Sequence, residues 1–284
     1  FEVHKGEVYG FLGPNGAGKS TTMRHLMGFS RPKSGDAYIG GKDCWKDHAA
    51  IMKSVGYLPG EVALPDGLNG VQFLEMMKGL RDGHGERMQE IIDLFQVNLN
   101  GSVKKMSIGE KRKLAIVAAF MSDPDILLLD EPTSGLDPVM QEVFIDFVKS
   151  EKEKGKTVLL SSHIFSEVEA LCDRIAIIKE GRIVSVTNAE EVKHFKRKTF
   201  DITFADQQNL EKFKQTEFEI KEEDKDARML SVAAENPQCD KLIKTLVQFD
   251  VVHFVEHNQT LEDYFMNFYK SDRTFGGIAH GKHH

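Results

Sequence analysis

The sequence of 284 residues lacks the long apolar runs of a membrane-spanning chain and contains only three cysteines. No uninterrupted apolar stretch approaches the about 20 residues that a helix needs to cross a bilayer. We therefore expect any role at a membrane to act through a partner. The cysteines, Cys44, Cys172 and Cys239, have the spacing of neither a zinc site nor a disulfide scaffold. No pattern typical of a signal peptide is visible either, and these absences favour the reducing cytosol.

Positive charge is also scarce. The sequence has 37 Lys and Arg against 44 Asp and Glu, for a net charge of -7. Proteins that coat nucleic acid are usually basic, so we expect no nucleic-acid partner. The apolar share of 40% and the charged share of 29% indicate a soluble globular protein. The length fits one large domain with a small appendage.

Most of the sequence alternates short apolar strands with amphipathic helices, from 8–12 to 175–178. This rhythm predicts an α/β fold in which helices cover both faces of a mostly parallel sheet. The segment DILLLD at 125–130 is continuously apolar between its aspartates, as expected for a central strand buried on both faces. A turn at 180–182 and a last strand at 183–185 end the sheet, and we expect this domain to occupy residues 1–190.

A different pattern follows a charged connector, expected to be helical, at 190–198. Phe200, Ile202 and Phe204 alternate with polar residues, which is the period of a strand. Further strands are expected at 218–220, 229–232 and 251–255, with helices near 210, at 238–249 and at 261–269. This succession predicts a small α+β accessory domain of βαββαβ type over residues 191–270. We expect the tail, 271–284, to lie outside the fold.

The most specific motif is GPNGAGKS, which matches the phosphate-loop pattern G-x-x-x-x-G-K-[ST]. It lies between a strand and a helical stretch, which is the context that the pattern requires. The backbone N–H groups of such a loop and the dipole of the following helix bind phosphate. We expect Lys19 to reach the β- and γ-phosphates and the Ser20 hydroxyl to bind Mg²⁺. The expected nucleotide-binding residues are Gly13, Pro14, Asn15, Gly16, Ala17, Gly18, Lys19, Ser20 and Thr21.

Two carboxylates, Asp130 and Glu131, stand at the end of the buried strand. The carboxyl edge of a parallel sheet faces the ligand crevice, beside the phosphate loop. We expect Asp130 to bind magnesium and Glu131 to orient or polarise the attacking water. Acidic residues also end strands simply as turn formers, and Pro132 follows here, but the phosphate loop favours the functional interpretation.

The succession GPNGAGKS, SIGEK, ILLLDEP and SGLD, then a strand that ends at His163, resembles the nucleotide-binding subunits of ATP-binding-cassette (ABC) proteins over residues 1–185. The resemblance implies a three-layer P-loop NTPase domain with a helical subdomain. It also implies that Ser107 and Gly109, in place of the family's LSGGQ signature, bind the γ-phosphate of ATP held by the opposite subunit. By residue type alone, Ser107 and Glu110 form a helix capping box, which is compatible because a capped helix N-terminus also binds anions.

Further residues acquire roles from this resemblance. Asp137 lies in the segment that crosses the dimer interface beside the nucleotide, and His163 corresponds to the switch histidine that reaches the γ-phosphate as a third catalytic residue with Lys19. Two departures are visible. Gly60 stands where the family usually has a glutamine, so that Glu61 or a water replaces it or hydrolysis is weakened. The aromatic platform for adenine is not found ahead of the phosphate loop, so ATP rather than GTP rests on the resemblance.

The function that the resemblance implies is an ATP-hydrolysing subunit of an ABC transporter of the exporter-like ABC-2 type. It would use ATP and Mg²⁺, pair with a second ABC subunit, and power export through an integral membrane permease at the cytoplasmic face of the membrane. Two alternatives remain open: an ABC ATPase of translation or DNA repair, and a weakly hydrolysing regulatory subunit. The helix expected at 69–81, with Phe73 and Arg81, is either the permease-docking surface or a plain amphipathic core helix.

Overall fold

The structure, a computed structural model, describes residues 1–81, 87–189, 197–257, 261–262 and 265–266. It divides into two compact units between Asn188 and Ala189, close to the boundary expected at 190. The predicted tail, most of the predicted connector and most of the helix predicted at 261–269 lie outside the described residues. Among the described residues, no helix is both long and apolar enough to span a bilayer.

The first unit is organised by a six-stranded sheet. The strands of this unit are β1 (Val8–Leu12), β2 (Tyr38–Ile39), β3 (Lys42–Asp43), β4 (Val55–Leu58), β5 (Ile126–Asp130), β6 (Thr157–Ser162), β7 (Arg174–Lys179) and β8 (Arg182–Asn188). The sheet order is β4-β5-β6-β1-β7-β8, with β2 and β3 forming a separate hairpin. The first five strands of that order are parallel and β8 is antiparallel to β7. The carboxyl ends of β1, β5 and β6, which precede the predicted site residues, therefore meet at one edge.

Helices cover both faces of this sheet. They are α1 (Lys19–Leu26), α2 (His48–Ser54), α3 (Gly70–Leu80), α4 (Met88–Leu94), α5 (Ile108–Phe120), α6 (Pro138–Glu153) and α7 (Phe165–Leu171). Met23 of α1 shares a buried cluster with Phe11, whereas Val168 of α7 lies against Gly10. Adjacent residues of a strand point to opposite faces, so α1 and α7 cover opposite sides. The predicted three-layer fold is confirmed.

The buried strand β5 has the environment that its sequence predicts. Leu127, Leu128 and Leu129 are all buried, because neighbouring strands and both helical layers surround them. Between β4 and β5 the chain forms α3, α4 and α5, which pack on one another. The aromatic rings of Phe95 and Phe120 pack with two rings of α6, with centroids 4.9 to 6.5 Å apart.

From residue 197 to residue 257, the second unit is an antiparallel sheet with two helices. Its elements are β9 (Arg197–Phe204), α8 (Gln207–Phe213), β10 (Glu219–Asp224), β11 (Met229–Glu235), α9 (Asn236–Leu246) and β12 (Val251–His257), with sheet order β10-β11-β9-β12. The element order is βαββαβ, and Phe200, Ile202 and Phe204 lie in its core as their alternation predicts. The prediction that the helical connector extends to Lys198 is wrong, because Arg197 and Lys198 pair with β11 as the first residues of β9.

Candidate functional site

The phosphate loop joins β1 to α1 and encloses the side chain of Lys19. Gly18 precedes the helix with φ +111°, a conformation that disfavours any side chain. Lys19 is 5% exposed, and its Nζ donates to the carbonyl oxygens of Gly13 at 2.6 Å and Pro14 at 3.3 Å. Asn15, Gly16, Ser20 and Thr21 are exposed. The middle of the loop and the first turn of α1 are therefore accessible to solvent, while hydrogen bonds to the loop's own carbonyls hold the side chain of Lys19.

Glu131 lies between the other two predicted catalytic residues. Its Oε1 is 3.1 Å from Lys19 Nζ, an ionic contact rather than an aligned hydrogen bond, and its Oε2 is 2.6 Å from Nδ1 of His163. Its φ of +47° is rare for a residue other than glycine, and its N–H donates to the carbonyl of Ser161 at 2.9 Å. Such backbone strain often accompanies functional sites. Lys19, Glu131 and His163 are thus brought together from three strand ends.

The residues predicted to bind magnesium line one cavity. Asp130, which is buried, accepts a hydrogen bond from the Ser161 hydroxyl. Ser20 and Asp130 line the same cavity of about 1320 Å³, together with Glu131 and His163. A hydroxyl and a carboxylate are the oxygen ligands that Mg²⁺ prefers. In the described ranges no three His, Cys, Asp or Glu side chains form a metal cluster.

The predicted signature segment forms the N-terminus of α5 on the surface. Ser107 and Glu110 make both hydrogen bonds of a capping box: Glu110 N donates to Ser107 Oγ at 3.2 Å, and Ser107 N donates to Glu110 Oε2 at 2.8 Å. The backbone bond from Ser107 lowers the pKa of Glu110. Within the described residues, no hydrogen bond or ion pair joins Ser107 or Gly109 to Lys19. In the structure the signature segment is therefore a capped helix N-terminus.

Asp137 has a structural role in this chain. Its Oδ1 accepts a hydrogen bond from Met140 N at 3.0 Å as the N-cap of α6, and Pro138 occupies the first turn as predicted. Gly135, two residues earlier, lies against the signature, where a Cβ on Gly109 would lie 2.8 Å from its carbonyl oxygen. The contribution of Asp137 to nucleotide binding stays a prediction.

The comparisons with known proteins agree with this geometry. The family model described as ABC transporter matches residues 1–134. The bacitracin transport ATP-binding protein BcrA of Bacillus licheniformis is 33% identical over 272 residues, which cover 93% of this chain and 89% of BcrA. The chain belongs to the ABC transporter family.

Other similar proteins carry the same family name. The uncharacterized ABC transporter ATP-binding protein YhcH of Bacillus subtilis is 37% identical over 198 residues, which cover 67% of this chain but only 64% of YhcH. The chain thus spans less than two thirds of that relative's length. A solved structure named as the ATP-binding subunit of an ABC transporter is 29% identical, with a TM-score of 0.62 over 68% of this chain and 83% of that one.

The helix α3 of this ABC family member packs against its own chain, as one of the two interpretations of its sequence predicts. Phe73 is buried, and Arg81 donates through Nη1 to the carbonyl of Val55 at 3.1 Å. These two residues, first considered as permease contacts, therefore belong to the packing of the chain. Met76 and Leu80 are exposed instead. Permease docking on this surface stays a prediction, and Met76 and Leu80 are the apolar side chains that α3 would offer to a permease.

The buried carboxyl of Glu167 was not predicted from the sequence. It is 2% exposed and accepts a hydrogen bond from the Ser162 hydroxyl at 2.5 Å, while Ser162 Oγ accepts from Ile164 N at 2.9 Å. These bonds shape the turn that carries His163. The pKa of Glu167 is raised to about 7, mainly by burial and partly by the charge of Glu131, while hydrogen bonds from Ser162 and Thr133 and the charge of Arg112 oppose the rise.

Replacing Glu167 by glutamine is expected to flatten the pH dependence of stability. Because burial raises this pKa from 4.5 to about 7, the wild-type protein loses stability as pH rises through that window, when the unfolded carboxyl ionises before the folded one. The difference is about 3 kcal/mol. We expect urea unfolding at pH 4.5 and 7.5 to show that the free energy of unfolding of Glu167→Gln, relative to wild type, rises by about this amount from the lower to the higher pH. Parallel pH curves for the two proteins would contradict the shift.

Proposed function

We propose that this chain is the ATP-hydrolysing subunit of an ABC transporter and that it powers solute export through a separate permease at the cytoplasmic face of the membrane. The observation that carries the proposal is the meeting of Lys19, Glu131 and His163 beside a cavity that Ser20 and Asp130 line. The name of BcrA, a transport ATP-binding protein, supports transport over a role in translation or DNA repair.

Each of these groups has a distinct task in the proposed hydrolysis. The loop N–H groups and Lys19 bind the β- and γ-phosphates. Mg²⁺ bound by Ser20 and Asp130 would neutralise phosphate charge. Glu131 orients the attacking water and accepts its proton, and the contact with His163 holds that carboxylate in place. Gly60 and Glu61 line the same cavity as Glu131, and whether Glu61 or a water takes the place of the usual glutamine stays a prediction.

A second subunit completes the proposed site. Among the residues that the structure describes, no hydrogen bond or ion pair joins Ser107 or Gly109 to Lys19. Apolar side chains next to the signature and to Asp137 are exposed: Ile108 is 75% and Val139 is 65% exposed. Burying these side chains against another ABC subunit would favour pairing. In such a pair the capped N-terminus of α5 would supply N–H groups to the γ-phosphate bound by the partner copy.

Mixing two inactive variants tests the shared site. Lys19→Ala removes the phosphate contact. Ile108→Asp adds a negative charge beside the phosphate that the partner binds. The fold should tolerate this change, because position 108 is exposed and an acidic residue is favourable at the start of a helix. Each variant alone is expected to lose ATP hydrolysis by about 100-fold or more. In a mixed pair, the intact phosphate loop of the Ile108→Asp chain meets the intact signature of the Lys19→Ala chain, which gives one unaltered site. The mixture should therefore hydrolyse ATP well above the rate of either variant alone, measured as phosphate release per total protein.

Ile108→Asn provides the matched neutral control and should keep most of the wild-type rate. If every chain hydrolysed ATP within its own pocket, Ile108→Asp alone would retain full activity and mixing would add nothing. That result would overturn pairing while leaving the ATPase assignment in place.

A further inference from the structure

The side chain of Arg112 joins three segments of the first unit. It lies on α5, five residues after Ser107, and is 2% exposed. Nη1 donates to the carbonyl of Pro59 at 2.6 Å, Nη2 to that of Gly60 at 2.5 Å, and Nε to that of Ser134 at 3.0 Å. The first two acceptors follow β4 and the third lies in the loop after β5. One guanidinium group thus fixes two loops to the helix that begins at the signature.

These contacts position backbone more than they neutralise charge. Within the part of the chain that the structure describes, Arg112 forms no ion pair, and all three of its partners are carbonyl oxygens. Burial lowers the pKa of Arg112, and the charges of Asp130, Glu131 and Glu167 raise it. Arginine stays protonated in such a site, and its planar fork can bind two carbonyls at once, which a lysine ammonium cannot do with the same geometry.

The loop after β4 depends on this side chain. Residues 59–65 line the large cavity between the hydrolysis site and α3. Apart from the strand pairing that ends at Leu58, the hydrogen bonds from Arg112 are the only ones that this loop makes among the described residues. A Cβ on Gly60 would lie 3.0 Å from Asp130 Oδ2, so the loop backbone comes close to Asp130, the predicted magnesium ligand. Arg112 holds the loop at that distance.

The other contacts of Arg112 connect to the surface of the proposed pair. Ser134 precedes Gly135, whose carbonyl lies against Gly109, and Asp137 then caps α6. Contacts therefore connect the loop from Ser134 to Asp137, the signature and Arg112. Residues 59–65 form part of the cavity wall. A displacement of this loop would pull on the Arg112 side chain, which donates to Pro59 and Gly60, and would thereby shift the start of α5.

We propose that Arg112 is a positioning residue that couples the cavity loop 59–65 to the signature and to the loop 134–137, so that one movement brings all three into the arrangement needed for hydrolysis. This inference rests on the proposed ATPase function. Arg112 itself does not touch the nucleotide in this scheme, because it is buried and three of its five N–H groups donate to backbone carbonyls. Its loss should therefore reduce turnover much more than nucleotide binding.

The test compares Arg112→Lys, which keeps the charge, with wild type and with Lys113→Met as a control for charge on the same helix. ATP turnover is measured over a range of ATP concentrations, and binding of a fluorescent ATP analogue is measured with EDTA present. We expect Arg112→Lys to lower kcat about tenfold or more and to change analogue affinity less than about twofold, while Lys113→Met stays near wild type. Equal kcat for Arg112→Lys and wild type would overturn the proposal and leave the ATPase function intact.

Amide hydrogen exchange provides a readout that does not require turnover. In Arg112→Lys, the amides of residues 60–64 and 134–136 are expected to exchange faster together, about tenfold or more, at an unchanged thermal midpoint. Faster exchange in one loop only would overturn the coupling. If wild type itself released no phosphate, the proposed function would fail, and the exchange data would still decide whether Arg112 links the loops.

Discussion

Replacing Glu131 by glutamine is expected to lower ATP hydrolysis at least about 100-fold, the usual scale of a lost general base. Glutamine has nearly the same shape, but it carries no charge for Lys19 and cannot accept the proton of water. The phosphate loop is untouched, so ATP binding should persist. Phosphate release by the purified protein at saturating ATP and Mg²⁺ measures the effect.

Glu153→Gln, at an exposed position near the end of α6, is the matched control and should keep the wild-type rate. Glu131→Gln should also accumulate ATP-bound pairs, detectable by light scattering, because it binds nucleotide without consuming it. Equal rates for Glu131→Gln and wild type would remove Glu131 from catalysis and favour the weakly hydrolysing regulatory subunit.

Replacing Arg87 by methionine is expected to destabilise the first unit by about 3 kcal/mol or more, the usual cost of breaking a buried ion pair from one side. Arg87, just before α4, donates to both carboxylate oxygens of Glu151 at 2.8 Å and to Asp123 at 2.8 Å. The Glu151 side chain is fully buried. Burial disfavours its charge, but the bonds from Arg87 and Lys154 outweigh this and lower the pKa of Glu151.

The single tryptophan, Trp45, lies in the first unit and reports its unfolding in urea. Lys149→Met breaks an exposed pair with Asp146 and should change stability by less than about 1 kcal/mol. The double variant Arg87→Met/Glu151→Leu removes both buried charges and should be more stable than Arg87→Met alone. A single variant as stable as wild type would show that the remaining cations satisfy Glu151 without Arg87.

Local patterns predicted much of this fold correctly. The strand Val8–Leu12, the helix after GPNGAGKS and the capping box at Ser107 all occur as expected, because each depends on residues close in sequence. The βαββαβ order of the second unit followed from period-two alternation. The start of β9 at Arg197 was missed because its charged residues resemble a helical connector until pairing with β11 is known.

Arg112 shows why part of the site was missed. It shares its spacing with the buried residues Ala115, Ile116 and Ala119, and a basic residue on that apolar face of α5 was the available signal. Its acceptors, however, are backbone carbonyls at Pro59, Gly60 and Ser134, which no residue type identifies. The raised pKa of Glu167 likewise depends on burial by distant segments.

The sequence by itself determined the phosphate loop, the carboxylates after the buried strand, the family and the class of both units, because these follow from short-range spacing and strand and helix periods. Only the tertiary structure decided that His163 contacts Glu131, that Arg87 pairs with Glu151 and that Arg112 joins two loops. Those contacts join residues 22 to 64 positions apart, and their geometry arises only when the parallel strands bring their carboxyl ends to one edge and the helices pack around them.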